Sequence, residues 1–352
     1  MQGNLRPNKS QSPVQMDDKS NPADPSLCRQ YGGGHTAGWI DRLPQSWIPY
    51  VQLCRLSPPS ALLLILFPHL FGVLHGAGTR LEPRPNELIP DILNVSLLLL
   101  GGSLFCNNAS HAWNDLVDAS IDAGVARTKT RPIPRGAITR TAALIFTIIQ
   151  TLGAAMFLAF LPVESRIIAL PNILATAYYP FAKRHIVSPQ LVLGFCLSWG
   201  VLVGSTAIGT ERPWRDVSTL SLLGALILWV IIFDTIYAHQ DLVDDLKLGV
   251  KSTAVLFRGH TKLFLWVLFI FMILLLSVSG YVREMSLFYY AFTVGGAFVS
   301  VGTMLLNVKL DNAADCWKWF SKGFLATAVA IGFGLLAELI QSVFSKQVYW
   351  RS

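Results

Sequence analysis

Charged residues are scarce in this sequence, and its cysteines form no pattern. Only 14% of the 352 residues are charged, against about 25% in ordinary soluble domains. The five cysteines lie far apart, without the spacing of a zinc site, and they give no sign of a disulfide framework. What the sequence has instead is apolar residues, which make up 52% of it and give a mean hydropathy of +0.47. This composition indicates an integral membrane protein.

Long apolar stretches recur along the chain, each near the ~20 residues that a helix needs to cross a bilayer. We identify nine, at 57–78, 88–113, 141–162, 167–182, 189–209, 217–238, 263–282, 286–306 and 323–343. Runs of this length without period-two alternation favour helices over barrel strands. The predicted fold is therefore all-α, a polytopic bundle of about nine transmembrane helices over 46–345. A disordered tail is expected at 1–45, which is rich in Pro, Ser, Asn, Gln and Gly, and a short tail at 346–352.

The distribution of cations predicts the orientation in the membrane. With nine spans, 20 of the 28 Lys and Arg residues fall on the side of the N-terminus. The positive-inside tendency then places the N-terminus and the loops that follow even-numbered spans in the cytosol. The first 45 residues lack the apolar core of a signal peptide, and Asp17, Asp18 and Asp24 are atypical of a mitochondrial transit peptide. An endomembrane, such as the endoplasmic reticulum, is therefore favoured over the mitochondrial inner membrane.

Two related acidic motifs open loops on this same side. Both contain the tetrapeptide Asp-Leu-Val-Asp, which indicates a weak internal repeat. Their polar residues are Asn114, Asp115, Asp118 and Asp122 after the second span, and Asp241, Asp244 and Asp245 after the sixth. Four-residue spacing puts such side chains on one helix face, where neighbouring carboxylates repel one another unless a cation lies between them. Oxygen ligands of this kind suit Mg²⁺, so we predict that the six aspartates bind Mg²⁺ and that Asn114 joins them in the catalytic site.

Basic residues accompany both motifs. The predicted diphosphate-binding residues are Arg127, Lys129, Arg131, Lys183, Arg184 and Lys251. Carboxylates for a metal beside arginines and lysines for phosphate oxygens form a diphosphate clamp. A single Asp at the end of a span is ordinarily solvated, and single cations there ordinarily set topology. Seven polar and acidic positions in two related motifs favour a binding site over those readings.

At these motifs the chain resembles the UbiA superfamily of intramembrane prenyltransferases, over about residues 45–345. The resemblance extends to Tyr179-Pro-x-x-Lys183-Arg184 and to Arg55-x-x-x-Pro59, although Ser-Ala follows that proline where the family more often has a glycine or another small residue two positions on. It implies Mg²⁺-dependent ionisation of a prenyl diphosphate and attack by an aromatic carbon ortho to a hydroxyl. It also makes Arg55 and Tyr179 candidate acceptor-binding residues.

Segments 43–50 and 68–72 look most like fungal enzymes that prenylate phenolic polyketides in meroterpenoid biosynthesis. The predicted function is transfer of a prenyl group, favoured to be farnesyl from farnesyl diphosphate, to a phenolic polyketide acid or a related ring. Two enzymatic alternatives stay open: a 4-hydroxybenzoate polyprenyltransferase of ubiquinone biosynthesis and a UbiA-type terpene cyclase. A remote third is a cation transporter, since intramembrane carboxylates commonly line ion paths. The expected partners are these substrates and the lipid bilayer, and no nucleic acid.

Overall fold

The computed structural model describes residues 33–34, 38–78 and 85–349. Most of the predicted disordered tail at 1–45 lies outside these residues, as does the end of the predicted tail at 346–352. The described part is helical and contains no β-strand. The last helix continues to Tyr349, so the boundary predicted at 345 falls inside it.

Twelve helices, numbered here in chain order, make up the described fold. They are α1 Ile48–Leu53, α2 Ser60–Ala77, α3 Pro85–Asp122, α4 Arg140–Ala159, α5 Val163–His185, α6 Pro189–Ala207, α7 Val217–Ala238, α8 Leu242–Leu248, α9 Thr253–Leu256, α10 Thr261–Val282, α11 Leu287–Asn307 and α12 Ala313–Tyr349. Helix α6 is interrupted for one residue at Trp199, and α11 contains a π-helical stretch, Tyr290–Gly295. Short 3-10 turns at Gly38–Arg42, Pro213–Arg215 and His239–Asp241 complete the helical structure.

Eight helices in the described part are long and apolar enough to cross a membrane. The predicted all-α membrane bundle is confirmed, and the predicted number of nine spans is approximate. The difference lies at 167–182, which falls within the 23-residue helix α5. This helix has the length of a span, but charged residues at its two ends, Glu164 and Arg166 on one side and Lys183 and Arg184 on the other, make it more polar than the other eight.

Helix α7 forms the centre of the bundle. It packs against α6, α10 and α12, and large aromatic residues such as Trp229 and Phe233 are fully buried along it. Helix α4 is the opposite case, since residues such as Ile145 and Leu152 are exposed on it. Exposed leucines and isoleucines are destabilising in water but stable against lipid chains, which is consistent with an outer helix of a membrane bundle.

Two pairs of glycines let α2 and α6 approach closely. Gly72 and Gly76 are four residues apart on α2, and Gly200 and Gly204 have the same spacing on α6. A Cβ at Gly72 would lie 2.1 Å from the carbonyl oxygen of Val201, and one at Gly204 would lie 2.0 Å from that of His69. Small residues at this spacing allow helix backbones to pack in contact within a membrane. This close contact fixes the position of α2 against α6. Arg55 lies five residues before the start of α2.

A polar cluster ties three helices together at the end of the bundle where α2 and α10 finish and α7 begins. We call it the distal cluster; its members are His75, Asp216, Ser218, Thr219, Ser279 and Arg283. The side chain of Asp216 caps α7 by accepting hydrogen bonds from the main-chain nitrogens of Ser218 and Thr219 at 3.4 and 2.9 Å. From here α7 runs 22 residues to the other end of the bundle, about 33 Å at 1.5 Å per residue.

Candidate active site

The first acidic motif occupies the last turns of α3, and its side chains are buried. Asp115 and Asp118 are fully inaccessible, and Asn114 and Asp122 nearly so. Arg55 donates to Asp115 Oδ1 from Nη2 at 2.7 Å. Arg131 bridges two of the aspartates, since its Nη1 lies 3.2 Å from Asp115 Oδ1 and 2.7 Å from Asp122 Oδ2. The loop after α3 therefore folds back to neutralise the helix end that precedes it.

Two cations at the end of α5 face Asp118, the second aspartate of this motif. Lys183 Nζ donates to Asp118 Oδ2 at 3.1 Å, and Arg184 Nη2 lies 3.6 Å from Asp118 Oδ1. Burial disfavours the charged form of Lys183, but the nearby Asp118 outweighs it and holds the pKa of that ammonium above its usual value. Lys183 therefore carries a positive charge at this end of the bundle.

The second acidic motif follows the central helix α7 and meets the first through Arg127. The Nε and Nη2 atoms of Arg127 donate to the two carboxylate oxygens of Asp241, at 2.9 and 2.5 Å. Its Nη1 donates to the hydroxyl of Tyr237 at 2.8 Å, and the guanidinium lies 4.9 Å from the centre of that ring. Burial opposes the charge on Arg127, but Asp241 dominates and raises its pKa above the usual value. The loop after α3 and the turn after α7 thus form one site.

Asp244 and Asp245 differ in their surroundings. Asp244 Oδ2 accepts a hydrogen bond from the main-chain nitrogen of Ala126 at 3.0 Å, which ties the two loops together. Asp245 is buried, and no hydrogen bond joins its carboxylate to another residue of the described chain. The internal repeat in the sequence singles out Asp241 and Asp244, whereas the resemblance to the UbiA superfamily implies Asp241 and Asp245. In the structure, the carboxylate of Asp245 is the more available for a ligand.

Three buried oxygens of the first motif lack a hydrogen-bond partner within the described residues. They are Asn114 Oδ1, Asp115 Oδ2 and Asp118 Oδ1. An unmet buried acceptor costs about 1–3 kcal/mol, so such atoms are uncommon unless something binds them. Hard oxygen donors of this kind fit Mg²⁺. No group of three or more His, Cys, Asp or Glu side chains forms a ready metal site in the described part of the chain, because the aspartates are spread among the arginines and lysines that pair with them.

Three other predicted residues lie around this site with different surroundings. Lys129 is exposed on the loop after α3. Lys251 Nζ donates to the carbonyl oxygen of His185 at 3.3 Å, and its main-chain nitrogen donates to that of Lys183 at the same distance. Lys251 therefore fastens its loop to the end of α5. Tyr179, one turn before Lys183, is half-buried and lies within electrostatic range of Lys183.

Three residues outside the predicted set also support the site. Tyr237 holds Arg127, and its position four residues before Asp241 could have identified it, since that spacing repeats along one helix face. Gln190 Oε1 accepts from the main-chain nitrogen of Thr253 at 3.0 Å and so joins α6 to α9. Asp234, which the spacing places on the same helix face as the second motif, lies on α7 near Lys183 and Gln190.

The chain matches the model of the UbiA prenyltransferase family over residues 57–328. It is 30% identical over 327 residues to the prenyltransferase stbC of Stachybotrys bisbyi, which covers 92% of this chain and 96% of that protein. Identity to the mitochondrial 4-hydroxybenzoate polyprenyltransferase of Saccharomyces cerevisiae is 33%, with 87% and 80% covered. Identity to the DMOA farnesyltransferase nvfB of Aspergillus novofumigatus is 32%, with 86% and 93% covered.

Solved structures share the same fold. A UbiA homologue from Archaeoglobus fulgidus, bound to GPP and Mg²⁺, aligns with a TM-score of 0.61 over 82% of this chain and 99% of that one. Sequence identity in that alignment is 17%, so the similarity concerns the helical architecture.

Proposed function

The chain is an integral membrane enzyme of the UbiA prenyltransferase family, and from this premise we propose that it transfers a farnesyl group from its diphosphate to a phenolic polyketide acid or related aromatic ring. Membership of this family makes it an enzyme, which sets aside the cation transporter. One observation carries the proposal: both acidic motifs and a set of five cations, three of them buried arginines, converge at one end of the bundle. Those cations are Arg55, Arg127, Arg131, Lys183 and Arg184.

The diphosphate would bind among these cations. Arg127 and Arg131 come from the loop after α3, and Lys183 and Arg184 from the end of α5, so two elements supply positive charge from different directions. Guanidinium groups bind phosphate oxygens with paired hydrogen bonds, and the ammonium adds a point charge. As the allylic C–O bond breaks, negative charge grows on the departing diphosphate, and fixed cations stabilise that charge most strongly in a buried site.

We propose Mg²⁺ as the cofactor. Asp115, Asp118, Asp122, Asp241, Asp244 and Asp245 are the carboxylates that would hold it. Asp115 and Asp118 support this assignment most directly, because each has an oxygen that accepts no hydrogen bond from the described residues. Asp122 and Asp244 are instead hydrogen-bonded to Arg131 and to the main chain of Ala126. Bound Mg²⁺ would supply further positive charge to the diphosphate. The residues of the chain bind and orient the two substrates around that charge.

The acceptor would lie on the side of Arg55. This guanidinium is buried beside Asp115 and can pair with a carboxylate on the acceptor ring. An aromatic carbon ortho to a hydroxyl then attacks the allylic carbon, and loss of the ring proton restores aromaticity. Tyr179 lies near Lys183 and Asp118 and is a second proposed contact.

A second function is favoured by one specific observation, the similarity to the yeast 4-hydroxybenzoate polyprenyltransferase across most of both chains. That protein is mitochondrial by name, whereas nvfB is a farnesyltransferase by name. The two readings therefore differ in donor length, acceptor and organelle. We propose the farnesyl reading and an endomembrane, with the N-terminus and the active-site loops in the cytosol. Fractionation of the expressing cells, with proteolysis of tagged loops in sealed vesicles, tests both location and orientation.

The deciding experiment uses the purified full chain in lipid vesicles. Geranyl, farnesyl and longer diphosphates are each supplied with Mg²⁺ and one of several phenolic acids, and products are identified by mass spectrometry. We expect a farnesylated phenol, which disappears on chelation and returns with Mg²⁺. A higher kcat/KM for long donors, with 4-hydroxybenzoate as the best acceptor, would contradict the farnesyl reading. A hydrocarbon product formed without any phenol would instead indicate a terpene cyclase.

A further inference from the structure

Asn107 lies on the same face of α3 as Asn114 and Asp118, deeper in the bundle than the acidic motif, and its side-chain oxygen also accepts no hydrogen bond from the described residues. Asn107 is fully buried, seven residues before Asn114 and eleven before Asp118. These spacings are close to two and three helical turns, so the three residues share one face. Each of them has a buried side-chain oxygen without a hydrogen-bond partner among the described residues. The face that binds the diphosphate end of the donor therefore continues about 10 Å further into the bundle.

The hydrogen bonds of Asn107 determine which way its amide points. Its Nδ2 donates to the carbonyl oxygen of Cys54 at 2.9 Å and to Asn108 Oδ1 at 3.2 Å. Both partners are oxygens that only accept, so the nitrogen must face them and Oδ1 must face the other way. The open atom is thus an acceptor held in a fixed direction, and it needs a donor.

The neighbouring asparagine shows that the open acceptor belongs to this face and not to α3 as a whole. Asn108 is half-buried and uses both ends of its amide: Oδ1 accepts from Asn107, and Nδ2 donates to Gln150 Oε1 on α4 at 3.0 Å. Ser110 likewise donates to the carbonyl oxygen of Cys106 at 2.7 Å. The polar side chains of Asn108 and Ser110 thus have hydrogen-bond partners, whereas one side-chain oxygen on each of Asn107, Asn114 and Asp118 has none among the described residues.

Only one of the two substrates can donate a hydrogen bond to Asn107 Oδ1. An ionised diphosphate offers only acceptor oxygens, and a prenyl chain offers no polar hydrogen, so neither can satisfy an amide oxygen. A phenolic hydroxyl can donate. Asn107 is also bonded to Cys54, the residue before Arg55, whose guanidinium is the proposed partner of the acceptor carboxylate. We infer that Asn107 Oδ1 accepts a hydrogen bond from the hydroxyl of the aromatic acceptor and so orients the ring for attack ortho to that hydroxyl.

This inference rests on the proposed function and names one residue of its acceptor site. Asn107→Ala should raise the acceptor KM on the order of 10-fold, which is the effect of losing one buried hydrogen bond, while the donor KM stays unchanged. Asn108→Ala is the matched control, since it removes an adjacent amide that faces α4, and its acceptor KM should stay near that of the wild type. Asn107→Gln, which keeps both an acceptor oxygen and an amide donor, should recover part of the loss.

An inhibitor pair tests the hydroxyl directly. A phenolic acid and its methyl ether, which has no O–H, are compared as competitors of the acceptor. The wild type should bind the phenol on the order of 10-fold more tightly than the ether, and Asn107→Ala should bind the two alike. An unchanged acceptor KM in Asn107→Ala, or an equal preference for the phenol in both proteins, would overturn the assignment.

A second variant and a measurement of melting temperature separate an effect on folding from an effect on acceptor binding. Asn107→Leu removes the unmet acceptor but also the donor to the carbonyl oxygen of Cys54, and these two effects oppose each other. Its melting temperature in detergent should therefore stay within a few degrees of the wild type, although its acceptor KM rises as in Asn107→Ala. A lower melting temperature with normal acceptor KM would show that Asn107 acts only in folding. Wild-type protein that makes no prenylated phenol contradicts the proposed function itself, whereas normal product formation with an unaltered variant contradicts only the role of Asn107.

Discussion

Two polar clusters lie at opposite ends of the bundle, and they differ in how completely their hydrogen bonds are satisfied. In the distal cluster, Arg283 donates from Nη1 to His75 Nδ1 and to the carbonyl oxygen of His75, both at 2.8 Å, and from Nη2 to Asp216 Oδ2 at 2.5 Å. An arginine only donates, so His75 Nδ1 accepts and Nε2 carries the proton toward Ser218 Oγ at 3.0 Å. Ser218 in turn donates to the carbonyl oxygen of Ser279 at 2.6 Å.

The acidic site has more charge and fewer completed bonds. Unpartnered oxygens remain on Asn114, Asp115 and Asp118 among the described residues. The distal cluster has a structural role, since its hydrogen bonds link α2, α7 and α10. The acidic site instead has buried acceptors without a hydrogen-bond partner, which destabilise the fold unless a ligand binds them. Buried polar residues alone therefore do not identify a functional site. The two clusters differ in whether buried oxygens remain free to bind a ligand, and substitutions at each end can test that difference.

The largest effect is expected at the acidic site. Asp118→Asn keeps the shape of the side chain but removes the charge that faces Lys183 and a proposed Mg²⁺ ligand. Loss of several kcal/mol of charge stabilisation should lower kcat/KM by about 10³-fold or more, with a melting temperature close to that of the wild type. Prenyl transfer assays and thermal unfolding in detergent measure the two. Asp315→Asn, which alters a carboxylate in the first turn of α12 that accepts from the main-chain nitrogen of Lys309, should keep full activity. A fully active Asp118→Asn protein would contradict its assignment as a ligand.

A smaller effect is expected where the two acidic motifs meet. Arg127→Lys keeps a positive charge but cannot make the paired bonds to Asp241 and the bond to Tyr237 together. We expect kcat/KM for the donor to fall on the order of 10- to 100-fold, with a higher donor KM and an unchanged acceptor KM. Tyr237→Phe keeps the ring beneath the guanidinium and loses only one hydrogen bond, so its loss should be several-fold smaller. If the acceptor KM rises instead, Arg127 does not act on the diphosphate.

The distal cluster should show the reverse pattern. Arg283→Met removes the donors to His75 and Asp216 and leaves both acceptors partly unmet. The free energy of unfolding should fall by about 1–3 kcal/mol, while kcat/KM measured well below the melting temperature stays within about two-fold of the wild type. Thermal unfolding beside the transfer assay measures both values. A stable Arg283→Met protein with impaired prenyl transfer would contradict the purely structural role of the distal cluster.

Much of the architecture could be predicted from the sequence because lipid permits few alternatives. Apolar runs of about 20 residues became helices, and only the short run at 167–182, which charged residues flank at both ends, left the number of spans uncertain. Spacing also indicated which carboxylates share a helix face. The pairing of Arg127 with Asp241 could not be predicted, because it depends on the path of an irregular loop between residues distant in the chain.

Residues that are close in sequence also differ in burial and orientation, and their spacing does not predict which of them is buried. Lys129 is exposed although it lies between Arg127 and Arg131, which are buried in the site. Asn107 and Asn108 are identical in type and adjacent, yet one faces the interior and the other faces α4. Which of two such residues faces a ligand depends on helix rotation within the bundle, and that is fixed by packing against several helices at once.

The smallest effect concerns the charge of Asp216 in the distal cluster. Burial alone would raise the pKa of this carboxyl, but hydrogen bonds from Thr219 and the positive charge of Arg283 outweigh it and hold the pKa below its usual value near 3.8. The ionised form therefore stabilises the folded state at any pH above that usual value, and the contribution is lost as the pH falls through the lower folded value. Asp216→Asn keeps a side chain that caps α7 but has no charge. Its melting temperature should lie a few degrees below that of the wild type from about pH 7 to 5, and the gap should narrow below about pH 4. A gap that widens as the pH falls would mean that the carboxylate does not stabilise this end of the bundle through its charge.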